Sequence, residues 1–391
     1  MPNIQTSKLN YLPMPQKHGE YIFKSIARSR QGNEDFILTE YKGQEFLLRV
    51  IYRKKNILIK GDKLTKVSPI SIVKNALKSF HTLHNLELSF SNIGGREYDE
   101  HFKNSDKYLK DMAYFMNDFQ TDKEIWVEVG FGSGRHLLHQ AKENPNIQFI
   151  AIEIHRPSIE QVIAQCKIQN LENILIINFD ARIFLELLES NSVGKIFVHF
   201  PIPWDKKPHR RVISHPFIEE SIRVLKPNGQ LELRTDSENY YAYSYDTFIS
   251  LNQCDLHIRK NQEIAISSKY EDRWKKMEKN IYDITLINHQ KSEPKEILQN
   301  LYFTQNIDFE NLKKRFHNHT IKGDDFFVHF EDLYEIDSKS GLLKLSFGSF
   351  EKSEHKYVII TNNEAKYFPD ETLPIKQNIK SHKKIEEFLY V

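Results

Sequence analysis

The sequence predicts an α/β fold, in which a doubly wound and mostly parallel sheet carries additional β-rich modules at its two termini. Strand-like and helix-like segments alternate from Trp126 to about Ile287, a pattern typical of parallel sheets. Within it, the apolar run Ile125 to Val129 leads into three alternating glycines. The terminal segments instead hold short β-prone runs separated by turn-forming residues. We therefore expect three domains: residues 1–95, 96–290 and 291–391.

Length, charge and cysteine content narrow the class of protein. At 391 residues and 46.4 kDa the chain is long for one hydrophobic core. A net charge of +2 gives no global signature of a nucleic-acid binder, so any basic surface must be local. No run approaches the roughly eighteen apolar residues of a membrane helix, and the N-terminal residues lack a signal-peptide core. We expect a cytoplasmic protein with no membrane partner. The two cysteines lie outside any CxxC pattern, so we expect neither a disulfide framework nor a metal site.

The terminal modules are predicted from short patterns. In the first, β-prone runs form an antiparallel meander, and apolar residues at helical spacing predict a helix from Ser71 to Leu83. The same spacing predicts a second helix from Tyr108 to Phe119. In the last module, Leu342 to Phe350 and Lys356 to Thr361 are strand-like, and Lys383 to Tyr390 is helical.

The first strand of the parallel sheet ends in a glycine turn. The segment reads IWVEVGFGSG, and Gly130, Gly132 and Gly134 permit a tight turn with close approach of the backbone to a ligand. Arg135 occupies the place of the third glycine of a dinucleotide fingerprint, which argues against a pyrophosphate site. S-adenosylmethionine fits better, because it has no phosphate and Glu128 can receive polar contacts from it.

Carboxylates also follow the next two strands. Glu153 ends the second strand, 25 residues beyond Glu128, a spacing that suits hydrogen bonds to ribose hydroxyls. Asp180 follows the third strand, where it can accept from an adenine amino group. An ordered set of carboxylates around a glycine turn indicates a cofactor site.

The loop after the fourth strand has the composition of a substrate site. It reads HFPIPWDKKPHRRV, and the crevice rule for open α/β sheets places it beside the cofactor. Trp204 offers a stacking face next to the densest basic cluster in the chain, which suits a splayed-out nucleobase with flanking phosphates. The basic residues are Lys206, Lys207, His209, Arg210 and Arg211. A fifth strand then ends at Asp236, which adds a fourth carboxylate to the crevice.

On these motifs, the segment from Tyr98 to Tyr282 resembles the bacterial tRNA (guanine-N7-)-methyltransferases. The matching elements are VEVGFGSG, IEIH, FDA, FPIPWDKKPHRR, RTD and SKYEDRW. The resemblance implies a Rossmann-like class I methyltransferase domain with a seven-stranded sheet, S-adenosylmethionine as cofactor and tRNA as partner. The terminal modules lie outside it, and the oligomeric state is not implied.

The resemblance also implies roles for individual residues. Cofactor contacts fall on the glycine turn with Glu128, on Glu153 and on Asp180. Contacts to tRNA fall on Lys206, on Asp236 and on the segment Ser268, Lys269, Tyr270 and Glu271. Beside these, the local chemistry predicts backbone phosphate contacts from Arg210 and Arg211.

One position departs from the family pattern. The family usually has Asp between the two prolines of the loop, as a cofactor or catalytic contact, and this chain has Ile202 there. Guanine N7 carries a lone pair and no proton, so its methylation needs no general base and depends on positioning and electrostatics. We expect Asp236 to orient the guanine and Asp205 to take over part of the electrostatic role.

Two other functions are compatible with the same residues. A methyltransferase acting on another substrate would keep the glycine turn and its carboxylates without needing the basic loop. A non-catalytic RNA-binding protein with a vestigial cofactor fold would explain Ile202, but it would have no physical reason to retain Glu128, Glu153 and Asp180 in register.

Overall fold

The computed structural model describes residues 2–65, 67, 69–94, 107–263, 277–295, 301–350 and 353–390. The chain divides into two compact units, residues 104–297 and residues 1–103 with 298–391. Within the described residues, no helix is both long and apolar enough to cross a bilayer.

The N-terminal segment is the predicted meander followed by one helix. Its strands are β1 (Asn3–Thr6), β2 (Gln16–His18), β3 (Tyr21–Ser29), β4 (Glu34–Tyr41), β5 (Gln44–Tyr52), β6 (Ile57–Gly61) and β7 (Leu88–Ser91). Helix α1 spans Ile70–Leu83, as its apolar spacing predicts. Its residues Ala76, Leu77 and Phe80 are buried against Ile4 and Ile59 of the sheet.

The expected helix from Tyr108 to Phe119 is present only in its second half. The segment forms a two-residue strand, β8 (Leu109–Lys110), and a single π-helical turn at Tyr114–Asp118. Pairing of Leu109 with Ile176 at the sheet edge outcompetes the local helical preference. Phe115, within the π-helical turn, packs edge-on against Phe184, with ring centroids 5.0 Å apart, and so contributes to the core.

Residues 104–297 form the predicted doubly wound sheet. The strands after β8 are β9 (Glu124–Val129), β10 (Ile147–Ile152), β11 (Ile174–Ile177), β12 (Val193–His199), β13 (Leu225–Thr235), β14 (Cys254–Lys260) and β15 (Tyr282–Asn288). The helices are α2 (Arg135–Glu143), α3 (Arg156–Gln169), α4 (Ala181–Phe184), α5 (His215–Val224) and α6 (Glu238–Ile249).

The strand order of this sheet is β14-β15-β13-β12-β9-β10-β11-β8. Seven strands give the expected mostly parallel sheet, and the short β8 adds an eighth at one edge. Strand β15 runs antiparallel to its neighbours β13 and β14. Central strand β9 is buried on both faces from Ile125 to Val129, as a parallel strand between two helix layers must be.

The C-terminal segment contains α7 (Phe309–Arg315), strands β16 (His319–Lys322), β17 (Phe327–Asp337), β18 (Ser340–Gly348), β19 (Ser353–Thr361) and β20 (Glu364–Phe368), and α8 (Lys376–Leu389). Both predicted strands are present, and the predicted helix begins earlier than Lys383.

The two terminal segments, expected as separate modules, share one sheet. Strand β17 pairs antiparallel with β3, with Tyr334 opposite Ser29, and this pairing joins both segments into twelve strands. The Tyr334 hydroxyl donates to Oε1 of Glu34 at 2.6 Å, and its ring packs edge-on against Phe36. Sequence patterns could not reveal this union, because the pairing strands lie about three hundred residues apart.

Candidate active site

The topology brings the sequence-predicted residues to one edge of the parallel sheet. Strands β9 to β13 are mutually parallel, so their carboxyl ends meet at that edge. Strand order reverses at β9, which lies between β10 and β12. In open α/β sheets this switch point forms the ligand crevice. The glycine turn follows β9 and the basic loop follows β12, so the two face the same crevice.

The glycine turn requires glycine for two different reasons. Gly130, Gly132 and Gly134 have φ values of 71°, 51° and 73°, in the left-handed region that other residues adopt at a cost. A Cβ on Gly134 would lie 2.3 Å from Cγ2 of Val162, so α3 packs directly onto the turn. A Cβ on Gly130 would meet nothing within 4 Å. The turn is therefore closed on the side of Gly134 and open on the side of Gly130.

Glu128 lies beneath this turn and is held by a histidine. Its side chain is only 3% exposed, and Nδ1 of His136 lies 2.8 Å from its Oε2. Burial lowers the pKa of His136, but the charge and the hydrogen bond of Glu128 outweigh burial, and the net pKa is raised above its ordinary value. The hydrogen bond with His136 therefore fixes the orientation of the Glu128 carboxylate.

A second histidine extends this arrangement. The rings of His136 and His199 are 4.4 Å apart between centroids, and Nε2 of His199 lies 3.8 Å from Oε2 of Glu232. Burial lowers the pKa of His199, with the neighbouring His136 contributing in the same direction and Glu232 opposing it. The pKa values of two adjacent imidazoles are thus shifted in opposite directions.

Glu153, which directly follows β10, forms hydrogen bonds that hold the glycine turn in place. Its Oε2 accepts from the backbone N–H of Gly132 at 3.0 Å, and its Oε1 accepts from the N–H groups of Ile154 and His155. A carboxylate has about four acceptor positions, so three bonds leave room for one more donor. The sequence predicts a ribose contact for this residue.

Asp180 caps a helix at the end of the third strand. Its Oδ1 accepts from the backbone N–H of Arg182 at 3.0 Å, and its Oδ2 lies 3.1 Å from Nη2 of the same residue. The side chain is held at the carboxyl end of β11, where the sequence predicts an adenine contact.

The loop after β12 is held in an unusual backbone conformation. Phe200 and Trp204 have φ values of 50° and 47°, which non-glycine residues rarely adopt. Nε of Arg211 donates to the carbonyl of Pro203 at 2.7 Å, and its Nη2 lies 3.4 Å from Oδ1 of Asp205. Such conformations persist only where surrounding contacts stabilise them, and Arg211 supplies these contacts.

The predicted phosphate contact of Arg211 therefore needs correction. The residue is only 6% exposed, and its guanidinium packs over the rings of Tyr240 and Tyr243 of α6, 5.3 and 4.6 Å from the ring centroids. Its donors are used inside the protein, so Arg211 anchors the loop to α6. Burial of a charged group requires such partners, and sequence alone does not show them.

The other predicted residues of the loop are accessible. Lys206, Arg210 and Asp205 are exposed, and the guanidinium of Arg210 lies 5.1 Å from the ring centroid of Trp204. Ile202 is also accessible, at 63% exposed.

Asp236 has an unexpected partner. Nζ of Lys279 lies 2.8 Å from its Oδ2, so the carboxylate that follows β13 is part of an ion pair. The remaining predicted substrate contacts, Ser268, Lys269, Tyr270 and Glu271, lie outside the described residues.

Sequence reasoning missed His136, His199 and Lys279. His136 had a usable signal, because a strand, a short turn and a helix bring the first helical turn back over the end of the strand. His199 is the last residue of β12, and a polar residue at the end of a buried strand is the same signal that identified Glu153 and Asp180. Lys279 had none, since its contact with Asp236 joins positions 43 residues apart in the chain.

A sheet of this order, with acidic residues at the ends of its first strands and a glycine turn at the switch point, defines the Rossmann-like methyltransferases, a class of enzymes. A family described as a putative methyltransferase matches residues 122–284. The tRNA (guanine-N(7)-)-methyltransferase of Wolinella succinogenes is 40% identical over 395 residues, covering 100% of both chains. That of Helicobacter hepaticus is 39% identical over 402 residues, covering 100% of this chain and 99% of the relative. The chain belongs to the tRNA (guanine-N(7)-)-methyltransferase family.

Among solved structures, a 30S ribosomal A1408 methyltransferase from an uncultured bacterium is similar to part of the chain. The identity is 20% and the TM-score 0.33, over 43% of this chain and 88% of that one.

Proposed function

We propose that this protein transfers a methyl group from S-adenosylmethionine to N7 of a guanosine in tRNA, the variable-loop guanosine by family resemblance. The observation that carries the proposal is the meeting, at one crevice, of an acid-lined glycine turn and an exposed basic loop with a tryptophan. Membership in a family named for this reaction supports it. A tRNA substrate also favours the cytoplasm as its location.

The residues of the turn fit S-adenosylmethionine. The open side of Gly130 allows close approach of a ligand to the backbone, and the nearby carboxylates suit a molecule that carries ammonium and sulfonium charges and ribose hydroxyls. In this proposal Glu128 and the turn hold the methionine part, Glu153 the ribose and Asp180 the adenine. When bound, the cofactor supplies an electrophilic methyl group.

The reaction needs no general base from the protein. Guanine N7 already carries its lone pair, so the protein contributes orientation, which in favourable intramolecular cases lowers a barrier by roughly 7 to 11 kcal/mol. The purine gains positive charge as the methyl group is transferred, and fixed carboxylates stabilise that charge. We assign this role to Asp236, with Asp205 contributing from the loop.

Contacts to the RNA backbone fall on the accessible cations. Lys206 and Arg210 are exposed, and Arg210 lies over the ring of Trp204, so they can contact phosphates around a base held near the indole. The segment Ser268 to Glu271 is retained as a proposed wall of the guanine site on the family resemblance.

The direct test is incubation of the full chain with methyl-labelled S-adenosylmethionine and bulk tRNA, followed by nucleoside analysis. We expect label in 7-methylguanosine and in no other nucleoside. Glu128→Gln keeps the shape of the side chain and removes its charge, so it is the matched control and should lose methylation. Label in another nucleoside would identify a different methyltransferase, and a protein that fails to bind the cofactor in calorimetry would be a non-catalytic RNA binder.

A further inference from the structure

Positive charge is concentrated in the N-terminal segment of the chain. Residues 1–94 contain 15 Lys and Arg against 7 Asp and Glu, a net charge of +8. The whole chain carries only +2, so the remaining residues are net acidic. Besides the basic loop after β12, a second excess of positive charge therefore lies in this segment.

Most carboxylates of the segment already have partners. Lys24 lies between Glu40 and Glu45, at 2.5 and 2.7 Å, and Arg49 pairs with Glu34 at 2.5 Å. The others are engaged in the same way: Lys42 with Glu20, the Tyr52 hydroxyl with Asp35, and the backbone N–H of Leu64 with Asp62.

Three cations in and directly after the β5–β6 hairpin have no such partner. Among the described residues, Arg53, Lys60 and Lys63 form no ion pair within 4.0 Å, and Arg53 and Lys63 are exposed. Lys60 lies directly opposite Arg49 on the adjacent strand. The charge of Arg49 is compensated by Glu34, so the unpaired positive charge of this cluster belongs to Arg53, Lys60 and Lys63.

The electrostatics of Lys60 show that these cations are close neighbours. Burial lowers its pKa, and the charges of Arg49, Lys63 and Arg53 lower it further, with Asp62 opposing. The four cations therefore share one electrostatic field, and an approaching anion would relieve their mutual repulsion.

The cluster lies on one face of the sheet, opposite α1. Ile59 and Ile4 alternate with Lys60 and Asn3 along their strands, and the isoleucines face the helix core. The face continues across β1 to the edge strand, because Lys60 pairs with Asn3 and Gln5 pairs with Phe90. The ring of Phe90 is 48% exposed. We name this surface, formed by Arg53, Lys60, Lys63 and Phe90, the Lys60 face.

We propose that the Lys60 face binds the tRNA backbone, as a second contact surface separate from the methyl-transfer site. Cations without acidic partners neutralise phosphates, and the exposed aromatic ring on the same face, two strands away, offers a stacking surface for an unpaired base. The identity of the RNA rests on the proposed function, while the charge complementarity to a polyanion does not.

The test is tRNA binding by the full chain without cofactor, measured by filter binding across a series of KCl concentrations. The variant Arg53→Gln/Lys60→Gln/Lys63→Gln should bind more weakly, and the slope of log affinity against log salt should fall by about 3, roughly 1 for each phosphate that is no longer neutralised. The matched control, Lys322→Gln/Lys339→Gln/Lys383→Gln, removes the same charge from exposed sites of the same unit and should retain the slope. Phe90→Ser should weaken binding without changing the slope.

Equal slopes for the hairpin variant and the control would overturn the proposal. Because the measurement needs neither cofactor nor methylation, its outcome is independent of the test for 7-methylguanosine. Circular dichroism of each variant checks that the sheet is intact.

Discussion

The imidazole of His136 and the carboxylate of Glu128 form a buried pair, with Nδ1 and Oε2 2.8 Å apart, beneath the glycine turn. Because an ionised carboxylate only accepts, the proton lies on Nδ1. The acid that we assign to the cofactor is thus oriented by the first turn of α2.

The pKa of His136 should lie above its ordinary value of 6.5 in the folded protein and should fall in Glu128→Gln. A histidine with a raised pKa stabilises the fold while protonated, so this contribution is complete below pH 6.5 and is lost as the pH rises through the folded pKa. Histidine-selective NMR titration measures it, with His155 as an exposed reference. A His136 pKa that is unchanged in the variant would show that Glu128 does not set it.

Gly134→Ala should destabilise residues 104–297 more than Gly130→Ala. Both substitutions place alanine at positive φ, but only the first also creates a 2.3 Å contact with Val162, and overpacking of this kind costs about 1 to 3 kcal/mol. Denaturant unfolding followed by tryptophan fluorescence reports this unit alone, because all three tryptophans, Trp126, Trp204 and Trp274, belong to its stretch of sequence.

Adding Val162→Ala to Gly134→Ala should remove the destabilisation caused by the contact with Val162. The destabilisation caused by alanine at positive φ should remain. If the double variant is no more stable than the sum of the single changes predicts, the contact with α3 is not the cause.

Arg210 and Arg211 should behave differently although they are adjacent. Arg211→Gln removes the donor to Pro203 and should lower the free energy of unfolding by about 1.5 to 3 kcal/mol. Arg210→Gln should change stability by less than about 0.5 kcal/mol and reduce the salt slope of tRNA binding by about 1. If the two substitutions have equal effects on stability and on the salt slope, Arg211 is not the loop anchor and Arg210 is not the RNA contact that we assign.

Asp236→Asn and Asp205→Asn should both slow single-turnover methylation of tRNA, with the larger effect at Asp236. Asp236 is held by Lys279, whereas Asp205 is exposed and only loosely paired with Arg211. Rapid quenching with saturating cofactor and tRNA separates the chemical step from binding. Unchanged rates in both variants would remove these residues from the mechanism.

Ile202→Asp should increase the single-turnover rate or the cofactor affinity. The side chain is 63% exposed, so the substitution should cost little stability, and it places a carboxylate where the sequence resemblance leads us to expect one. Ile202→Asn is the matched neutral control. If the Asp and Asn variants behave alike, charge at position 202 does not limit the reaction.

Much of the site could be predicted because each residue follows a strand. The end of a buried strand is readable from an apolar run, and parallel strands bring their ends to one edge, so Glu128, Glu153, Asp180 and Asp236 could be grouped from the sequence. Arg211 was misassigned because a basic loop residue suggests a phosphate contact unless its buried partners Tyr240 and Tyr243 are known.

The sequence by itself determined the doubly wound sheet, the glycine turn and the acids around it, because these depend on periodicity and on spacings within about thirty residues of chain. Only the tertiary structure decided the rest: the union of both termini in one sheet, the pairing of His136 with Glu128, the ion pair of Asp236 with Lys279 and the clustering of cations on the Lys60 face. The physical reason is that these contacts join separate elements. Which residues are buried, and which charged groups lie near one another, depends on how the elements pack. The local sequence pattern does not encode this packing.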